Sequence, residues 1–176
     1  MIFKTERLLI RPINLEDQKA IFEYRSNKTT NQYQGWIPEY INDVVTFIKK
    51  SAKEINHPNT WFQFVIILKD HQKIIGDLGI HFLSDNKQVE IGCTLNTDFQ
   101  NKGYATESLT SIIDYLFKDL KKHRITSSID PDNTNSIKLV ERIGFRKEAH
   151  FVESILINGK WVDDLIYALL EKEWKN

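Results

Sequence analysis

The stretch QNKGYATESL, residues 100–109, follows the alternating run QVEIGCTLN and opens a segment with a helical apolar stripe. Backbone N–H groups at a helix start are unpaired and carry the positive end of the helix dipole. A single glycine there lets an anion approach, and Gln100, Lys102 and the N–H groups around Gly103 to Thr106 could face phosphate oxygens. A Walker-type loop needs a second glycine and a Lys-Ser/Thr pair, and a dinucleotide fingerprint needs further glycines; the stretch has neither. A short pyrophosphate loop is what remains. Other side chains able to do chemistry are Glu90 on the run leading to the loop, Asn133 and Ser136 in DNTNSIKLVERIGF, and Tyr33 and Trp36 in NQYQGW. His57, His71, His81, His123 and His150 are too scattered, with one cysteine, to suggest a metal site. Cys93 reads as a small buried strand residue rather than a nucleophile, and His81 as structural.

Around these residues the periodicity predicts an alternation of strands and helices. ERLLIRPI reads as a first strand, and Asn14 stands before the helix LEDQKAIFEYRS with Glu16 and Asp17 in its first turn. Ile41, Val44, Val45, Ile48, Ala52 and Ile55 recur at helical spacing and predict a second helix closed by Pro58. WFQFVIIL, KIIGDLGIHF and QVEIGCTLN read as an antiparallel meander. The helix after the loop carries Ala105, Leu109, Ile112, Ile113, Leu116, Phe117 and Leu120 on one face. HRITSSI is a further strand, and SIKLVERI a short helix that Gly144 should stop as a left-handed cap. FRKEAHFVESILI and WVDDLIYALL flank NGK as a closing hairpin.

A chain of 176 residues, 41% hydrophobic and 27% charged, is expected to form a single domain over residues 1–176. The 24 Lys and Arg balance the 24 Asp and Glu, so no basic field favours nucleic acid as a partner. The start MIFKTERLLI is too short an apolar run for a signal peptide or membrane span, and one cysteine excludes an internal disulfide, which points to the cytoplasm and away from a membrane.

The ordered motifs TERLLIRP, IIGDLGI, EIGCTL, QNKGYATESL, DNTNSIKLVERIGF and INGKWVDD resemble the GNAT superfamily of acyl-CoA N-acyltransferases, in the branch similar to RimJ/RimL ribosomal-protein N-terminal acetyltransferases. The resemblance implies an α/β fold with a mixed, mostly antiparallel sheet of about seven strands and about four helices, with coenzyme A entering where the central strands part. It implies acetyl-CoA as donor and a primary amine as acceptor, either a protein N-terminus or a small molecule, attacked directly in a ternary complex. A homodimer stays open. By the same resemblance Leu95 would pair with pantetheine, and Gln100, Asn101, Lys102, Gly103, Tyr104, Ala105 and Thr106 would line the phosphates.

Amide formation from a thioester asks for a neutral amine, oxyanion stabilisation and a proton for the departing thiolate. The resemblance makes Glu90 the base, directly or through water; alternation alone also allows a solvated strand residue facing away from Val89, Ile91, Cys93 and Leu95. Many relatives place a tyrosine acid where this chain has Val140, and the Rim-like pattern N-x-x-S assigns the thiolate to Ser136 and the pantetheine to Asn133. Ser136 as a helix N-cap is the structural alternative. Some Rim-like enzymes carry a glutamate base where this chain has Ile155, with Glu153 two residues away. Tyr33 and Trp36 would flank the acceptor, Trp36 alternatively serving as a core lid. A non-catalytic coenzyme A-binding module is the alternative function.

Overall fold

The computed structural model describes residues 1–157 and 159–175. Its strands are β1 (Phe3–Lys4), β2 (Leu8–Pro12), β3 (Thr60–Leu68), β4 (Lys73–Phe82), β5 (Gln88–Leu95), β6 (Arg124–Ile129), β7 (Arg146–Ile157) and β8 (Lys160–Leu170). Its helices are α1 (Gln18–Arg25), α2 (Ile41–Lys50), α3 (Tyr104–Lys118) and α4 (Thr134–Ile143). The strands form one sheet in the order β1-β2-β3-β4-β5-β6-β8-β7, antiparallel throughout except between β5 and β6. The expected α/β architecture holds, and the additional strand is the two-residue β1.

Strand alternation divides the apolar residues between two faces. Ile66, Leu78, Ile80, Val89, Ile91 and Ile125 pack on one face beneath Leu109, Ile112, Ile113 and Leu116 of α3 and Val140 of α4. Val65 and Ile67 pack on the other beneath Ile21 and Tyr24 of α1 and Val44 and Ile48 of α2. Asn14 accepts from the Glu16 N–H at 2.8 Å and Asp17 returns a bond to the Asn14 N–H, a reciprocal cap on a short 3₁₀ turn, Leu15–Asp17, that leads into α1.

The second helix is shorter than its periodicity predicts. Ser51 turns extended (ψ 141°), its hydroxyl bonds the Phe47 carbonyl, and the Ala52 N–H leaves the helical ladder to reach the Trp61 carbonyl at 2.8 Å. Ala52 and Ile55 therefore still pack on the core, but from a loop, and Pro58 closes nothing. Gly144 ends α4 at φ 111°, taking bonds from its N–H to the Val140 and Glu141 carbonyls as a left-handed cap should. In the closing hairpin, Asn158 lies outside the described residues, while Gly159 sits at φ 78°.

Candidate active site

The parallel pair β5·β6 is short: Gln88, Val89 and Glu90 face Arg124, Ile125 and Thr126, and there the pairing stops. Beyond that vertex the strands part. The Asn96 N–H bonds the Ile75 carbonyl on β4 at 2.9 Å, so alternation along β5 turns the backbone groups of Leu95 and Cys93 and the Ile91 carbonyl the other way, into the gap. The Gln100 amide already reaches the Leu95 carbonyl there at 3.1 Å. An extended amide-bearing ligand could pair with this free edge as a missing strand would.

A cleft of about 650 Å³ runs through the sheet at the gap. On the α3/α4 side it is walled by Leu109, Asn133, Ser136, Val140 and Phe145; on the α1/α2 side by Tyr33, Trp36, Phe47, Trp61 and Gln63. Trp36 stacks on Phe47 at 4.6 Å, so it is both a packed side chain and a wall of the cleft.

Cross-strand register arranges the α1/α2 side in rungs. Trp61, His81, Glu90 and Thr126 form one; Gln63, Gly79 and Gly92 the next; Val65, Asp77 and Thr94 the third. The middle rung has no side chain on two of its three strands. A Cβ on Gly92 would meet nothing within 4 Å, and one on Gly79 would come within 2.8 Å of the Gln63 amide. The floor of this chamber is bare backbone. Its far wall is a buried network in which Arg25 Nε donates to Asp77 Oδ2 at 2.8 Å, Arg25 Nη2 to Asp77 Oδ1 at 2.5 Å and the Tyr24 hydroxyl to Asp77 Oδ2 at 2.7 Å.

The phosphate-loop residues lie outside the cleft lining, near the open end of β5. Gly103 is the N-cap of α3 at φ 82°, with no side chain to occupy the first-turn N–H groups. Arg7 props the loop from β2's side: Nε donates to Glu107 Oε2 at 2.7 Å, Nη1 to the Lys102 carbonyl at 2.9 Å, and the guanidinium lies 4.5 Å from the centre of the Tyr104 ring. Asn101 takes a left-handed conformation (φ 59°) to make the turn. The Lys102 ammonium bonds the Asp98 carbonyl at 2.8 Å, so it reaches back along the loop rather than out over the helix start.

At the vertex, Glu90 is half-buried on the rung adjoining the bare floor, without itself lining the cleft. Burial raises its carboxyl above the usual glutamate value; a charge on His81 works against that shift, and Asp164 works with it. Asp164 in turn accepts from the Ser128 hydroxyl at 2.7 Å. On the opposite side of the sheet, Asn133 and not Ser136 caps α4: Asn133 Oδ1 accepts from the Ser136 N–H at 3.2 Å. The Ser136 hydroxyl therefore stands in the first helical turn at the cleft wall, free of a capping duty. Glu153 is placed elsewhere. It sits at φ 44° in a β7 bulge, its N–H on Asp163, beside Ile155 on the outer hairpin. Cys93 is a half-buried wall residue whose thiol burial pushes up to about 12, which leaves almost no thiolate at neutral pH.

The chamber's other components carry a fainter sequence trace. Glycines inside the runs IIGDLGI and EIGCTL mark a close backbone approach, but nothing local marks Arg25, Gln63 or Trp61, which α1 and β3 bring to the chamber.

A sheet split along a parallel pair, an anion-ready helix start at the end of the free strand edge and a cleft crossing the split define an acyl-CoA-dependent N-acyltransferase. The chain belongs to the GNAT acetyltransferases: residues 7–146 match the family described as "Acetyltransferase (GNAT) domain". It is an acetyl-CoA-dependent N-acetyltransferase related to the RimJ/RimL type. It is 34% identical over 177 residues to the uncharacterized N-acetyltransferase YnaD of Bacillus subtilis, covering 99% of both chains. The crystal structure of a GNAT-family acetyltransferase from Bacillus anthracis superposes with a TM-score of 0.87 at 33% identity, over 98% of this chain and 100% of that one. More distant relatives differ in acceptor. The ribosomal protein uS5-alanine N-acetyltransferase of Escherichia coli is 29% identical over 69% of this chain and 63% of its own length. The spermidine N(1)-acetyltransferase of Vibrio cholerae is 25% identical over 97% and 96%. Among the described residues no helix is long and apolar enough to cross a membrane.

Proposed function

We propose that residues 1–176 work as one domain that moves an acetyl group from acetyl-CoA to a primary amine, a protein N-terminal α-amine or a small-molecule amine, by direct attack in a ternary complex. The observation that carries this reading is the cleft through the split of β5 and β6, with a raised carboxyl at the vertex and a hydroxyl on the opposite wall. A cytoplasmic setting is supported by the free thiol of Cys93.

The residues present fit the donor. The free edge of Leu95, Cys93 and Ile91 suits the amides of a pantetheine arm, and Asn133 Nδ2 adds a donor at the cleft wall. The N–H groups of Tyr104, Ala105 and Thr106, with Gln100, Asn101, Lys102 and the small Gly103, suit a pyrophosphate. Acetyl-CoA supplies the activated acetyl thioester. Over the Gly79–Gly92 floor, between Tyr33, Trp36 and Trp61, the acceptor's nitrogen lone pair forms the new C–N bond. Glu90 takes the ammonium proton through a water, since it stands one rung back from the floor. Breaking the C–S bond leaves a thiolate, to which the Ser136 hydroxyl donates.

A raised pKa suits this base, because it narrows the gap to the amine it serves. For an α-amine of pKa about 8 the neutral fraction near pH 7 is already appreciable; for a lysine at about 10.4 it is tiny. Glu90→Gln should therefore depress kcat/KM most at low pH and least near pH 9.5, where the acceptor deprotonates itself. Measured from about pH 6 to 9.5 with acetyl-CoA saturating, a deficit that stays constant with pH would instead make Glu90 a positioning or structural residue.

A further inference from the structure

The chamber on the α1/α2 side holds two polar groups that the transfer chemistry leaves unused. Arg25 is 9% exposed, and its Nε and Nη2 are both committed to Asp77. Its Nη1 makes no hydrogen bond among the described residues, and the side chain lines the cleft, its guanidinium 5.5 Å from the centre of the Trp36 ring. Gln63 is 7% exposed and also lines the cleft. Its amide lies over Gly79 without a hydrogen-bond partner among the described residues. Neither group is among the fully buried unpaired atoms, so both face the cleft and stay accessible to a ligand that would pair with them.

Arg25 belongs to the wall opposite Glu90, and Gln63 to the rung between them. Gln63 stands on the bare glycine rung, and Arg25 is fixed to Asp77 on the rung beyond. Successive rungs on one face are about 6.7 Å apart, and the long Arg25 and Gln63 side chains span part of that step toward a nitrogen over Gly92. The remainder is the reach of an oxygen three bonds from the nitrogen. Charge sharpens the choice: the chamber's ionised lining groups are Arg25 and Lys50, and the carboxylate in the lining, Asp130, follows β6 beside Asn133. Arg25 already shares its charge with Asp77, and its Nη1 can only donate, so a second ammonium, itself a donor, would find no partner there.

We infer that Arg25 Nη1 and the Gln63 amide form a specificity site for an sp² oxygen next to the reacting amine, so that the acceptor is an α-amino carbonyl compound rather than an alkyl polyamine. This inference rests on the chamber being the acceptor site of the proposed reaction. Asp77 is then a positioning residue: it holds the guanidinium edge-on to the chamber, and burial's tendency to discharge Arg25 is outweighed by Asp77, which keeps it charged. The stacked rings of Trp36 and Phe47, which also wall the cleft, lie beside the guanidinium at 5.5 and 5.8 Å.

The test is calorimetric binding to the coenzyme A-loaded protein, with affinities referred to the neutral amine. Alaninamide is compared with 3-methylbutan-2-amine, which replaces its amide by a hydrocarbon of similar shape. Alanine tells a carboxylate from an amide carbonyl, and spermidine represents the polyamines. The wild type should prefer alaninamide or alanine over the hydrocarbon amine by about 10- to 100-fold, the range for a hydrogen bond to a charged group. Arg25→Lys, which keeps a charge for Asp77 but loses the fork, should reduce that ratio to within about threefold. Gln63→Leu removes a side chain with no internal hydrogen bond, so it provides a folded second variant and should reduce the ratio about three- to tenfold. Equal binding of the pair, tightest binding of spermidine, or an unchanged ratio in both variants overturns the inference. Preserved preference without acetyl transfer to any of these amines supports the specificity site and overturns the transferase reading instead.

Discussion

Replacing Gly103 by valine should separate donor binding from folding, because two independent properties of that position bear on the two. Gly103 sits at φ 82°, where an L side chain costs about 1–2 kcal/mol. A Cβ there would lie 3.2 Å from Arg7 Nη2, a group that bonds to the Lys102 carbonyl and Glu107 keep from swinging freely. The first effect lowers the melting temperature of the free protein by roughly 2–8 °C for a chain of this size. The second puts a branched side chain where a pyrophosphate must approach the open N–H groups of α3. At a hundredfold excess over its dissociation constant, acetyl-CoA stabilises the wild type by about 2.7 kcal/mol, a rise of roughly 5–10 °C. Gly103→Val should lose that rise. Gly144→Ala, at φ 111° on the C-cap of α4, is the control: it should destabilise the free protein similarly and keep the rise. Differential scanning fluorimetry with and without acetyl-CoA reads all of this. A valine variant that keeps the full ligand shift would refute the placement of the pyrophosphate.

Ser136→Ala should lower turnover on a working acceptor about ten- to a hundredfold while leaving the acetyl-CoA melting shift nearly intact. Since Asn133 provides the cap, the substitution should leave stability almost unchanged, and a loss of about 1 kcal/mol with full turnover would return Ser136 to a structural role. Glu90→Gln should raise the melting temperature at neutral pH, because a carboxyl whose folded pKa is raised contributes stability below its unfolded pKa and loses it as pH rises through the folded one. Near pH 3 both forms are uncharged and the gain over wild type should vanish; equal melting curves at pH 7.5 would contradict the burial of that charge.

The elements were legible where local pattern and tertiary need agree. The 3.6-residue stripe of α3, the alternation of β3 to β5 and the glycine stop of α4 each come from one stretch of chain with one dominant periodicity. The second helix misled at its end because Ala52 and Ile55 keep the helical spacing of buried residues while Ser51 redirects the backbone to Trp61. At the site, Gly103 and the face of Glu90 follow from spacing alone. The cap of α4 did not, because Asn133 and Ser136 are both good capping residues and only geometry decides which side chain meets which N–H. The Arg25–Asp77 wall was invisible, since a pair 52 residues apart leaves no local signature.

In the proposed reaction the acetyl group passes straight from the thioester to the amine across the split sheet. Rapid quench of excess enzyme with acetyl-CoA, with and without a primary amine such as alaninamide, distinguishes this route from an acetyl-enzyme intermediate. Without amine there should be no thiol released within a turnover time and no acetylated protein by mass spectrometry, since the Cys93 thiol is held far from its reactive form. With amine, free thiol and N-acetylated amine should form together, one for one. A stoichiometric burst of thiol before amine is added, with acetyl on Cys93 or any other residue, would contradict direct transfer.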